Sequence, residues 1–92
     1  RTLYGAEAKY LVALQWYNAG NYASAEKETL NCIDQSTPHA YWLARSFILL
    51  SDVYVAMDKK LDARQYLLCL QQNYQADDDI ASMINERLEK LK

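Results

Sequence analysis

The stretch Ala13-Leu-Gln-Trp16-Tyr-Asn-Ala-Gly20-Asn-Tyr22-Ala-Ser-Ala25 decides the fold. Upstream of it, Tyr10, Ala13, Leu14 and Tyr17 recur at spacings of three and four, the period of a helix face. Ala6, Val12 and Trp16 form a neighbouring stripe, so this helix, expected over Leu3 to Asn18, carries apolar groups on more than one side. Ala19-Gly20-Asn21 breaks it, and Gly20 is suited to the left-handed conformation that ends helices. A second helix is expected over about Tyr22 to Asp34, burying Tyr22, Ala25, Leu30 and Ile33. Two antiparallel helices joined by so short a turn form a hairpin.

The rest of the chain repeats this plan. Gln35-Ser-Thr-Pro38 marks a boundary, with Thr37 as N-cap and Pro38 at the first helical position, where its missing N–H goes unmissed. A third helix is expected from near Pro38 to about Met57, a turn at Asp58-Lys59-Lys60, and a fourth helix from about Leu61 to Tyr74. Asp77 to Asp79 suit the positive end of a fifth helix, which places Ile80, Ile84, Leu88 and Leu91 on one side with Met83 beside them. Lys90 and Lys92 suit its other end.

Sliding the chain by 38 residues sets Leu50 on Val12, Ser51 on Ala13, Tyr54 on Trp16, Ala63 on Ala25 and Leu70 on Cys32. Each column keeps a size class, with small residues at tight helix crossings and an aromatic filling the space beyond. Such columns are what two copies of one helical hairpin require.

At these residues the chain resembles the tetratricopeptide repeat (TPR) family. Ala13-x-x-Trp16-x-x-x-Gly20-x-Tyr22-x-x-Ala25 follows the central part of that motif. The second copy, Ser51-x-x-Tyr54 followed by Ala63, is looser, with Asp58 where glycine is usual and Lys60 or Leu61 in place of the aromatic. The resemblance covers about Ala6 to Tyr74 and implies an all-α fold, a right-handed α-α superhelix of two hairpins closed by a capping helix. As a single domain over 1–92, hairpin 1 takes about 3–35, hairpin 2 about 38–74 and the capping helix about 78–91. More loosely, the chain resembles the C-terminal segment of a longer bacterial repeat protein. It begins at Arg1 rather than Met, which reads as an excised piece or mature fragment.

The resemblance also implies a function. The first helix of each hairpin would line a concave groove, with Glu7, Tyr10, Leu14, Tyr17 and Asn18 from one hairpin and Arg45, Ile48, Asp52, Val55 and Ala56 from the other. The expected activity is that of a non-catalytic scaffold holding a protein or peptide. Some family members clamp a peptide's terminal carboxylate at groove positions, but Tyr10, Leu11 and Leu14 stand at the corresponding places here, so an apolar segment is the expected guest. The alternative is a structural end-cap or self-association segment of a longer repeat protein, with a homodimer as one form, in which neighbours cover Tyr10, Leu14, Ile48 and Val55.

Composition narrows the alternatives. A net charge of −2 with interleaved signs gives no basic stripe for nucleic acid. No apolar run approaches the ~20 residues of a membrane helix, so no insertion by this segment is expected. Cys32 and Cys69 form neither a CxxC pair nor a zinc spacing and read as packed apolar groups. His39 has no partner histidine or cysteine, and Asp77-Asp78-Asp79 lacks the glycine and distal glutamate of a calcium loop. No enzymatic activity, cofactor or metal is therefore expected.

Overall fold

The computed structural model describes residues 3–34 and 40–92. Among the described residues the regular secondary structure is all α-helix, in the order α1 (Leu3–Asn18), α2 (Tyr22–Asp34), α3 (Ala40–Ala56), α4 (Lys60–Asn73) and α5 (Ile80–Lys90). The expected N-cap Thr37, the helix start at Pro38, and His39 lie outside the described residues.

The two hairpin turns are copies of one structure. After α1, the Gly20 N–H bonds to the Tyr17 carbonyl and the Asn21 N–H to the Trp16 carbonyl, both at 3.0 Å. After α3, the Asp58 N–H bonds to the Val55 carbonyl at 3.0 Å and the Lys59 N–H to the Tyr54 carbonyl at 2.7 Å. This paired closure is a Schellman motif, and its left-handed residue is Gly20 at φ 81° in one turn and Asp58 at φ 62° in the other. The 38-residue offset read from side chains thus reappears in the backbone.

The helices pack in sequence, with α3 at the centre. One flank of α3, through Leu49 and Val53, meets Tyr10 and Ala13 of α1 and Ala25 of α2. A second, through Leu50 and Tyr54, meets Ala63 of α4 and the half-buried Leu30 and Ile33 of α2. A third, through Ala44 and Ile48, meets Leu67 and Leu70 of α4 and Ile80 and Ile84 of α5. A helix apolar on nearly every side is stable only when enclosed in this way.

The small-residue columns behave as expected, since Ala13, Ala25, Ser51 and Ala63 are all buried. The aromatic column does not. Tyr54 is 7% exposed, but Trp16 is 41% exposed, because no helix among the described residues covers the outer side of α1. Thr29 is fully buried although polar, its hydroxyl donating to the Ala25 carbonyl one turn back. Cys32 is half-buried and free, whereas Cys69 is free and exposed, contrary to the expectation that both pack as apolar groups.

Of the three aspartates before α5, Asp78 and Asp79 make the side-chain bonds. Asp78 Oδ1 accepts the Ile80 N–H at 3.0 Å, satisfying a donor of the first turn. Asp79, at the N-cap position, makes no side-chain cap bond; its carboxylate accepts from the Tyr41 hydroxyl instead. Asp78 also accepts from the Tyr74 hydroxyl at 2.6 Å. That bond, then burial, pushes the Tyr74 pKa up to about 12.

Candidate binding groove

Eight of the ten groove positions named from the sequence separate into a filled set and an open set. Ile48, 2% exposed, belongs to the core, because α5 lays Ile80 and Ile84 against it. Tyr10, 6% exposed, sits beneath Trp42, with ring centroids 5.5 Å apart. Leu14 packs half-buried in the same cluster.

Arg45 closes this set. Its guanidinium carbon lies 5.2 Å from the Tyr10 ring centre and within 6 Å of those of Tyr41 and Trp42. Nη2 donates to the Tyr10 hydroxyl at 3.1 Å and Nη1 to the Tyr41 hydroxyl at 3.0 Å. The Tyr41 hydroxyl in turn donates to Asp79 Oδ1 at 3.0 Å. Burial alone lowers the Arg45 pKa, but the bonds to Tyr41 and Tyr10 outweigh it and the value is raised. Arg45 is therefore a cation committed to joining α1, α3 and the start of α5. Its Nε is buried with no hydrogen-bond partner among the described residues.

The open set lies where the C-terminal turns of α1 and α3 face α5. Tyr17, Asp52, Val55 and Ala56 converge there on a cavity of about 520 Å³. The remaining lining is Ser51, Lys60, and Glu86, Arg87, Lys90 and Leu91 of α5. Glu7 and Asn18 lie outside this lining.

One ion pair sets the wall. Arg87 Nε donates to Asp52 Oδ1 at 2.9 Å and Nη2 to Oδ2 at 3.1 Å, the bidentate geometry that suits guanidinium and carboxylate. Arg87 Nη1 donates to the Met83 carbonyl at 3.2 Å, which holds the side chain along its own helix. Both partners are about one quarter exposed, so the pair is partly shielded from water. Beside it, burial and then the Asp52 carboxylate raise the pKa of the Tyr17 hydroxyl, leaving it a neutral group on the cavity wall. Val55 remains 39% exposed as a bare apolar contact.

The α5 contribution has no signal in the sequence. Arg87 is 35 residues from Asp52 and the motif ends before it, so only the docking of α5 brings the two together. Ser51 reads from the sequence as a small residue at a helix crossing and Lys60 as part of a turn, so neither stands out as a groove position.

Among the described residues no group of three or more His, Cys, Asp or Glu stands close enough to hold a metal ion. No helix there is long and apolar enough to cross a membrane. Comparison with family models, with curated proteins and with solved structures gives no match.

Proposed function

We propose that the chain is a non-catalytic scaffold that holds a protein or peptide segment in the cavity between α1, α3 and α5, within a right-handed α-α superhelix of the TPR kind. The observation that carries this reading is the convergence of Tyr17, Asp52, Val55 and Ala56 on one open cavity of about 520 Å³. Its volume falls within the ~300–1,000 Å³ of ordinary ligand sites and its lining mixes apolar and charged groups. The serine of the lining, Ser51, has no hydrogen-bond partner among the described residues, so no base stands ready to activate its hydroxyl. Filling the cavity tests the reading. Ala56→Trp replaces an exposed methyl by a large ring without changing charge. Peptides selected from a display library on the wild-type chain should lose binding to A56W and keep it to Leu11→Gln, an exposed position outside the cavity lining. Equal binding to A56W removes the cavity from consideration.

A second reading is favoured by a different face. Leu11 and Val12 are each 44% exposed and Trp16 is 41% exposed. Their counterparts 38 residues on, Leu49, Leu50 and Tyr54, are buried, covered in part by Ala25, Leu30 and Ile33 of α2. The bare face of α1 is thus the kind of face that a preceding helix covers elsewhere in the same molecule. This supports a structural segment stacked on another hairpin, or self-association through α1. Sedimentation of the chain over a hundredfold concentration range separates the forms, and a strict monomer throughout removes self-association.

A further inference from the structure

The wall of the cavity carries two lysines that take part in no ion pair among the described residues. Asp52 and Arg87 neutralise each other in their bidentate pair, and Glu86 lies 3.9 Å from the same guanidinium. Setting Asp52 and Glu86 against Lys60, Arg87 and Lys90 leaves the lining one positive charge in excess, and among the described residues neither lysine is in an ion pair. Lys90 ends α5, where a cation is favoured by the helix dipole on local grounds alone. Lys60 is the opposite case. It opens α4, where the dipole disfavours a cation and no side-chain cap forms, and although Asp62 stands in the same turn the two are not in an ion pair. A cation held against the local field and facing a cavity is better matched by an anion from outside the chain.

The apolar part of the lining has its own requirement. Tyr17, Val55, Ala56 and Leu91 form a neutral patch, with Val55 partly bare. The Ser51 hydroxyl, on a residue 1% exposed in the cavity wall, has no hydrogen-bond partner among the described residues. A cavity of about 520 Å³ admits one or two side chains with their backbone, not a whole helix lying flat.

We infer that the occupant is a short acidic segment, one apolar side chain seated against Val55 and Ala56 and flanked by side-chain carboxylates that meet Lys60 and Lys90. The inference rests on the scaffold reading and adds the chemical class of the partner. The net charge of the chain is −2, so the attraction is local to the cavity and falls with salt.

Fluorescence polarisation with labelled peptides tests it. The probe is a blocked nine-residue peptide alternating glutamate with leucine; its counterpart replaces glutamate with lysine. The wild-type chain should bind the acidic peptide in preference to the basic one, and 0.5 M salt should weaken that binding. Lys60→Gln with Lys90→Gln should weaken it by about tenfold, the scale of two exposed ion pairs. A56W should abolish it. Both lysines are exposed, and circular dichroism checks that the double variant keeps its helices. Equal or better binding of the basic peptide overturns the inference, as does an unchanged affinity in the lysine variant. If A56W still abolishes binding in either case, the scaffold reading survives and only the acidic class fails. If binding is also indifferent to A56W, both fail.

Discussion

The two hairpins share one backbone and reach it by different means. Hairpin 1 uses residues that favour its turn locally: Gly20 in the left-handed position, then Asn21, whose Oδ1 caps the Ser24 N–H at 3.2 Å. Hairpin 2 puts Asp58 at that φ and Lys59 at the N-cap, where no side-chain cap bond forms. The balance is reversed in packing. In hairpin 1 the outer side of α1 is bare, whereas Leu50, Val53, Ala63 and Leu67 of hairpin 2 are fully buried. A turn with weak local chemistry persists where the helices on either side are held by tertiary contacts. The hairpin with the clearer sequence signature is the one with fewer neighbours.

The sharpest way to break this comparison is to remove the packing. Leu50→Ala should cost about 2–5 kcal/mol in chemical denaturation, because a fully buried leucine leaves a cavity behind. Its repeat counterpart Val12→Ala should change stability by less than about 0.5 kcal/mol, since Val12 is 44% exposed. Comparable losses at the two sites would mean that the outer face of α1 is covered in solution.

Next in size is the tie from α3 to α5. Asp52→Ala should cost about 1–2 kcal/mol, as expected for a charge-assisted bidentate pair that is partly shielded. Amide exchange should accelerate in α5 before α1 and α2. Uniform acceleration would show that Arg87–Asp52 does not hold α5 in particular.

The turns sharpen the contrast at a smaller scale. Gly20→Ala meets no steric obstacle within 4 Å, but at φ 81° a Cβ is strained and should cost about 1 kcal/mol. At the same place in hairpin 2, Asp58→Gly should stabilise by about 0.5–1 kcal/mol, and Lys59→Asn by a similar amount through a new cap. Thermal melts of the three variants give the signs, and stabilisation by Gly20→Ala would contradict the left-handed turn.

The smallest effect is a pH dependence. The Tyr74 pKa is raised from 10.0 to about 12, so the native state holds that proton more tightly than the unfolded chain. Its contribution is fully present below about pH 10 and is lost as pH rises from there to about 12. Tyr74→Phe should flatten that part of the stability profile. Tyr54, raised by burial and then by Glu26, titrates in the same sense and remains in the variant.

Much of the architecture was legible from residue spacing. The ends of α1, α2, α4 and α5 fall within a residue or two of expectation, because caps, breakers and periodicity act over four or five residues. Gly20 was read as left-handed and is, while Asp58, noted only as a missing glycine, adopts the same conformation because the hairpin requires it. Of the ten positions that the family resemblance implies, Tyr17, Asp52, Val55 and Ala56 line the cavity, whereas Glu7, Tyr10, Leu14, Asn18, Arg45 and Ile48 do not, since a helix face carried over from a motif does not say what packs on it.

The sequence by itself determined five helices, their approximate ends, the 38-residue offset between hairpins and the apolar side of α5, all consequences of short-range backbone preference and helical period. Only the tertiary structure decided that α5 lies against α3 as well as α4, that Arg45 is enclosed by Tyr10, Tyr41 and Trp42, and that Arg87 meets Asp52. Residues 35 apart in the chain leave no mark on each other's local pattern. Their meeting is set by how whole faces pack, and that packing also leaves one cavity open between α1, α3 and α5.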